Sequence, residues 1–477
     1  MKFTIRQLFA ILLFVALFDM ALRPIADADF WWHLRTGQLI VETRTIPLAD
    51  PFSFTNLGKP WIAHEWLVEI LIYGLFRLGG FGLLILIFAA FITATFYLVY
   101  LRSEGRPYIA GFVLLLGALA SAPTWGVRPQ IITYLFFASF LLLLDRYAVT
   151  CKAKYLIPLP FLMLLWVNLH AAYALGIALV GLYLTGAVFE WIKAGFGIKA
   201  PRLREVFLLG SILAICLLAT LANPNGLRLL TYPFETLSSQ AMQQNIQEWF
   251  SPDFHRSEWQ PLLWLILALI GAGLLGRKKL SPVNILLTLA FGYLALHSMR
   301  HVPLFAIAAV PALAEMLSAI LPNLDNTRPA LVALKWVNPL LVVVAIFVVI
   351  VQFTNVIQKQ ATTEKEYFPT AAVDWIAHNH PTGNIFNTYG WGGYLIWRLY
   401  PEYQVYIDGR ADLYGDAFIG DYLRIESGSP GWEAELVRDN VRIVLLEPTS
   451  SLVWELRHSA DWQVVYEDAR SVLFVSK

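Results

Sequence analysis

Cysteine is nearly missing from this chain, with only two in 477 residues. Cys151 and Cys216 fall in an expected cytoplasmic loop and inside an expected span, which argues against a disulfide framework, a thiolate metal site and redox chemistry. Charge is scarce as well. Asp, Glu, Lys and Arg make up 14% of the residues, and 35 Lys and Arg stand against 34 Asp and Glu, so no electrostatic case exists for nucleic acid as a partner. No internal repeat, low-complexity tract or phosphate-cradling glycine loop occurs, which leaves a cytoplasmic nucleotide site without support. Glycines such as those in "ALGIALVGLYLTG" are instead spaced for helix packing in lipid.

What the chain has in excess is apolar and aromatic surface: 58% apolar residues, with 17 Trp, 20 Tyr and 31 Phe. Apolar runs near 8–25, 81–101, 108–123, 131–147, 156–169, 172–191, 206–222, 261–275, 281–297, 302–320 and 337–355 predict about eleven membrane helices, the first retained rather than cleaved. With the N-terminus in the cytoplasm, the alternate loops collect Arg102 and Arg106, then Arg146, Lys152 and Lys154, then Lys193 to Arg204, Arg277 to Lys279, and Arg328 with Lys335. This is the positive-inside pattern, and the odd number of crossings places residues 356–477 outside. "HEWLVEILIYGLFRLGG" is apolar enough to span, but counting it would invert every later loop. It is read as an interfacial helix ending at Gly79 and Gly80.

On this topology the costly polar residues collect on the external side: Asp27, Asp29, His33 and Arg35; His64 and Glu65; Arg128; Asn168 and His170; Asn223 and Asn225; Glu248, Asp253 and His255; His297, Arg300 and His301. All nine histidines are external, and before residue 336 that side uses eight arginines against one lysine, Lys59. Arginine suits bidentate contact with phosphate or carboxylate. A single His or Arg at a helix end is usually an anchor or a cap, but anchors would distribute over both faces. The one-sided pattern predicts a shared pocket. Carboxylates and imidazoles there could deprotonate a hydroxyl while arginines neutralise a departing phosphate. His33, His64 and an aspartate lack the paired spacing of a zinc site.

"DFWWHLR", Asp29 to Arg35, resembles the first-loop motif of oligosaccharyltransferase catalytic subunits, and the whole organisation resembles the GT-C class of membrane glycosyltransferases. The wider pattern, with "WVNLHAA", "ANPNG", "EWFSPDF", "SMRHVPLFAIAAVP" and "GGYLIWRLYP...DGRADLYG", is similar to uncharacterised bacterial membrane proteins filed with that class. The resemblance implies a polytopic helical GT-C module, 1–355, with a first external loop 26–80, and an external α/β domain, 356–477. It also implies transfer of a sugar from a polyprenyl-phosphate donor to a hydroxyl on a glycan, lipid or protein acceptor, at the outer face of a bacterial plasma membrane. A first-loop aspartate would be general base or metal ligand: Asp29, with Asp27 second and His64 and Glu65 beside it. Arg128, Arg300 and His301 are the candidates for the donor phosphate. The second external loop, "SAPTWGVRPQ", lacks the carboxylate that metal-using relatives carry, so no cofactor is assigned and Mg or Mn remains an alternative. The peptide-binding tryptophan-tryptophan-aspartate motif is also missing from "NTYGWGGYLIW". Other classes left open are a transporter of a polar or anionic solute and a non-catalytic binding protein.

In the last segment, a linker, a helix from about Pro369, and strands within "NIFNTY", "YQVYIDG", "VRIVLLE", "WQVVYED" and "SVLFVSK" are expected, the last two joined across Ala469 and Arg470. "WGGY", ending at Tyr394, reads as a strand-to-helix turn that either touches substrate or packs. Asp408 and Arg410 of "DGR" either serve the site or pair with each other.

Overall fold

The computed structural model describes residues 4–103, 106–193, 200–276, 280–321 and 336–477. The charged loop positions Lys2, Arg277 to Lys279, Arg328 and Lys335, and most of the Lys193 to Arg204 stretch, lie outside those residues or have no described side chain. Each of the eleven apolar runs is helical. Among the described residues, seven helices are long and apolar enough to cross a membrane by length and composition.

Two compact units form. The first comprises Met1–Arg23, Ile85–Gly226 and Gln247–Val356. Its helices are apolar on all sides, as lipid requires. The helix Val302–Ile320 is buried along almost its whole length, and Gly117 of Pro107–Ser121 lies where an added Cβ would come within 2.3 Å of Val310. Small residues thus bring these two helices into close contact. The first helix, Ile5–Ala21, begins with a capping box between Thr4 and Gln7. Arg102 donates from Nε to Asp145 at 2.8 Å and from Nη1 to the Ile307 carbonyl at 2.8 Å, and Tyr183 completes the group by donating to Asp145.

The second unit comprises Pro24–Leu84, Leu227–Ile246 and Ile357–Lys477. The first external loop, expected with the 1–355 module, therefore packs with the C-terminal residues. A four-stranded sheet has β1 (Asn384–Asn387), β2 (Val441–Leu446), β3 (Trp462–Glu467) and β4 (Val472–Ser476) in the order β1-β2-β4-β3. The β1–β2 pair is parallel and the others are antiparallel. Phe386, Tyr406, Tyr422, Trp432, Val444 and Phe474 lie in the core on this sheet.

Two expectations are corrected. "EKEY" is not a linker: the helix Val337–Tyr367 runs through it, because residues 358–366 are rich in Gln, Lys and Glu and contain no Gly or Pro. "YQVYIDG" is not a strand. Val405 makes only isolated bridges, to Ser53 and Ile385. The Asn387 side chain accepts from Tyr406 N–H at 2.9 Å and donates to the Ile407 carbonyl at 2.8 Å, so a side-chain amide satisfies backbone groups that a ladder would otherwise take.

The helix Trp66–Arg102 leaves helical geometry at Gly79 (φ −154°) and Gly80 (φ 59°), where the interfacial segment was expected to end. The second angle is one that only glycine adopts without strain.

Candidate functional site

The motif around Asp29 is built from a helix start. Asp27 Oδ1 accepts the N–H groups of Asp29 at 2.8 Å and Phe30 at 3.3 Å, satisfying donors that the helix Phe30–Thr43 would leave orphaned. Asp27 is thereby a cap. Asp29 is half-buried, and its Oδ1 accepts from Trp32 Nε1 at 3.2 Å. Gly409 closes over it, since a Cβ on that glycine would fall 1.7 Å from Asp29 Oδ1. Trp31, fully buried, locks the helix start edge-on against Tyr394 (5.0 Å) and Phe368 (5.5 Å). Gly393 lies against the Ala28 carbonyl, where a Cβ would come within 2.6 Å. The "WGGY" stretch, whose last three residues open the helix Gly392–Leu399, accordingly supports the aspartate's backbone.

One turn beyond Asp29, His33 is buried between two carboxylates. Its Nδ1 is 3.1 Å from Glu69 Oε1 and its Nε2 is 3.3 Å from Glu65 Oε2. Gly37 makes this fit, because a Cβ there would meet the Glu69 carbonyl at 2.0 Å. Glu65 continues the chain to His64 Nε2 at 3.4 Å, while His64 Nδ1 is 3.1 Å from the Ile62 carbonyl. The His64 ring lies 4.5 Å from that of Tyr232.

Burial by itself would push the His64 pKa down, but Glu65 and Asp412 outweigh it and the pKa rises above the usual 6.5. A raised imidazole pKa contributes stability that is complete below the unfolded value and is lost as pH rises through the folded one. The thermal midpoint is therefore expected to decline as pH rises above the ordinary histidine value of about 6.5 and on through the raised folded value. His64→Gln should flatten that slope. A slope unchanged in the variant would show that another group carries it.

Asp412 and Tyr232 were not singled out from the sequence. They line a cleft of about 380 Å³ together with Trp61, Arg228 and Glu235. Crowding by the surrounding protein raises the Asp412 pKa against the opposing pull of His64 and a hydrogen bond from Tyr232. Glu69 was also missed, although it stands one helical turn beyond Glu65, a spacing that puts both on one face.

In the other unit, the residues expected at the donor phosphate do meet. Arg128 pairs with Glu248, the Arg300 guanidinium lies 4.4 Å over the Trp249 ring, and Trp249 meets His301 edge-on at 6.3 Å. The turn Gln247–Trp249 is tied to Met299–His301 through Ser298 Oγ donating to the Glu248 carbonyl at 2.9 Å. Burial would raise the Glu248 pKa, but Arg128 and Arg300 prevail and lower it, so Glu248 is ionised at neutral pH. His301 Nδ1 is buried without a hydrogen-bond partner among the described residues. Such a group is suited to a ligand oxygen.

The remaining candidates make local contacts. Arg35 donates to the Tyr400 carbonyl at 2.9 Å and lies over its ring. His170 Nδ1 accepts from Ala172 N–H at 3.1 Å and is 3.0 Å from Thr133 Oγ1. Asn223 closes its own turn through Asn225 N–H at 2.7 Å. His255 is exposed and pairs with Asp253 at 3.0 Å. Tyr394 donates to Glu364 at 2.8 Å. Asp408 and Arg410 pair with each other, joined by Asp50. Among the described residues no three of His, Cys, Asp or Glu are grouped to hold a metal ion.

No family model matches this chain, and no curated protein matches it. Solved structures do. The archaeal oligosaccharyltransferase AglB from Archaeoglobus fulgidus, in complex with an inhibitory peptide and a dolichol-phosphate, superposes with a TM-score of 0.58 at 12% identity, over 92% of this chain and 69% of that one. ArnT from Cupriavidus metallidurans bound to undecaprenyl phosphate gives 0.52 at 13% identity over 98% and 97% of the two chains. Its apo form gives 0.54 at 14% identity over 97% of each. This chain is a polytopic helical membrane protein with a GT-C-like fold and a small C-terminal sheet.

Proposed function

We propose that this protein is an inverting glycosyltransferase that moves a sugar, hexosyl or pentosyl, from a polyprenyl-phosphate donor to an acceptor hydroxyl. The observation that carries this reading is the meeting of Arg128, Arg300 and His301 around Glu248 and Trp249, with a buried His301 imidazole nitrogen that has no hydrogen-bond partner among the described residues. Fold likeness to an enzyme solved with undecaprenyl phosphate supports it. In the proposed reaction Asp29 takes the proton of the acceptor hydroxyl as its oxygen attacks the anomeric carbon. The bond from that carbon to the phosphate oxygen breaks, and the lipid phosphate leaves with its electron pair, held by the two guanidiniums. The proposed setting is the outer face of a bacterial plasma membrane, with the N-terminus cytoplasmic and the C-terminal domain outside. His64 and Glu65 are assigned to orienting Asp29's surroundings, and residues 1–355 and 356–477 to the membrane and external parts.

Arg300→Ala tests the phosphate assignment. A charge-assisted hydrogen bond contributes about 1.5–3 kcal/mol, so affinity for polyprenyl phosphate should fall by about tenfold or more. The measurement is binding of the lipid phosphate to the purified protein in nanodiscs. Unchanged affinity in both Arg300→Ala and Arg128→Ala would overturn the assignment.

A further inference from the structure

The cleft in the second unit has a lining that the proposed chemistry leaves unused. Asp412 opens onto it, and its carboxylate accepts a hydrogen bond from the Tyr232 hydroxyl. Glu235 accepts from Thr231 Oγ1 at 2.7 Å, and Arg228 at the rim makes no ion pair among the described residues. Asp416 is already spent: it accepts from Ser239 Oγ at 2.5 Å and from Gln240 N–H at 2.9 Å, which fixes the start of the helix Gln240–Asn245.

The volume, about 380 Å³, lies within the range of about 300–1,000 Å³ typical of small-molecule sites. Three carboxylates, Asp412, Glu235 and Asp416, repel a phosphate, which argues against the donor headgroup. Thr236, Ser238 and Ser239 add hydroxyls to the wall, which argues against a lipid tail. Arg228 is the guanidinium among the lining residues, and with the hydroxyls beside the carboxylates it suits a ligand rich in hydroxyl groups rather than an anion. A carboxylate retains several lone pairs after one hydrogen bond and can accept from adjacent hydroxyls, while a guanidinium donates to hydroxyl or ring oxygens. The Tyr232 and Trp61 rings offer apolar area at the same wall.

We propose that this cleft is a carbohydrate-binding subsite that receives a neutral sugar of the acceptor, with Asp412, Glu235 and Arg228 as its hydrogen-bonding groups. The proposal rests on the glycosyltransferase reading only for the word acceptor. Tyr232 positions the Asp412 carboxylate, and the chain from His64 through Glu65 to His33 stiffens the wall behind it.

The test is saturation-transfer difference NMR on the full chain in nanodiscs, with the methyl glycosides of mannose, glucose, galactose and arabinofuranose as probes and that of glucosamine as a cationic control. At least one glycoside is expected to bind the wild type, and to bind Asp412→Asn about tenfold or more weakly, with Glu235→Gln showing a smaller loss in the same direction. Polyprenyl phosphate binding should be unchanged in both variants, which also reports that they are folded. No glycoside signal in the wild type, or equal signals in wild type and both variants, would overturn the proposal, as would binding only of a cationic amino sugar. Asp412-dependent binding without transfer from any lipid-linked donor would remove the glycosyltransferase reading and leave the cleft a sugar site. Transfer in Asp412→Asn with an unaltered acceptor KM would remove the cleft as the acceptor site and leave that reading in place.

Discussion

Asp29→Asn is expected to abolish most sugar transfer while leaving the protein folded and able to bind polyprenyl phosphate. A positioned general base contributes about 10²–10⁴-fold, and the loss should fall in that range. Folding should survive because Asn keeps the shape and can still accept from Trp32 Nε1, the bond that Asp29 makes at 3.2 Å. The helix start also retains its true cap, Asp27, whose Oδ1 holds the N–H groups of Asp29 and Phe30. Gly409→Ala supplies an independent arm: its Cβ would fall 1.7 Å from Asp29 Oδ1 and must displace the carboxylate without removing it. Transfer should drop in this variant too, with donor affinity retained. Equal transfer by wild type and Asp29→Asn would remove Asp29 as the base.

Arg410→Met should lower stability more than any other single change considered, by about 3–5 kcal/mol, the usual cost of stranding a buried charge. Arg410 Nε donates to Asp408 at 2.8 Å, Nη2 to Asp408 at 2.6 Å and Nη1 to Asp50 at 2.7 Å. All three side chains are at most 1% exposed. Burial would lower the Arg410 pKa, but Asp408 and Asp50 raise it well above its ordinary value, so the group is permanently charged. Its guanidinium also lies 4.6 Å over Trp61 and 5.2 Å over Phe52. Removing it leaves Asp408 with the Tyr414 hydroxyl at 2.7 Å and Asp50 with backbone N–H groups and Ser53, but with no counter-charge. The readout is the thermal midpoint of the purified protein. A shift no larger than that of a surface substitution such as Arg438→Met would contradict the assignment.

Asp29 and the Arg410 ion-pair group mark what local sequence records and what it does not. Asp29 could be picked out because a charged residue at the end of an apolar run costs free energy and needs a reason. The helices were legible on the same ground: apolar runs near membrane-spanning length have few other uses. The pairing of Asp408 with Arg410 was one of two readings kept open, but its third member, Asp50, is 360 positions from Arg410 and carries no local signal. The cleft residue Asp412 meets Tyr232 for the same reason: tertiary packing, not periodicity, brings them together. "YQVYIDG" alternates as a strand should, yet Asn387 took its backbone groups, an exchange that no local pattern records. His33, His64 and Glu65 were each visible as polar residues, but the approach of two helices at Gly37, which makes them a chain, was not.

The central claim is that this chain cleaves a polyprenyl-phosphate sugar and passes the sugar to a hydroxyl. It is tested most directly by incubating the purified protein in nanodiscs with a panel of radiolabelled polyprenyl-phosphate sugars and bacterial envelope glycans, and following both products. The account predicts equimolar release of polyprenyl phosphate and labelled glycan with inverted anomeric configuration from at least one donor, both lost in Asp29→Asn. Intact donor throughout the panel, with labelled solute instead carried unchanged across proteoliposome membranes, would contradict it.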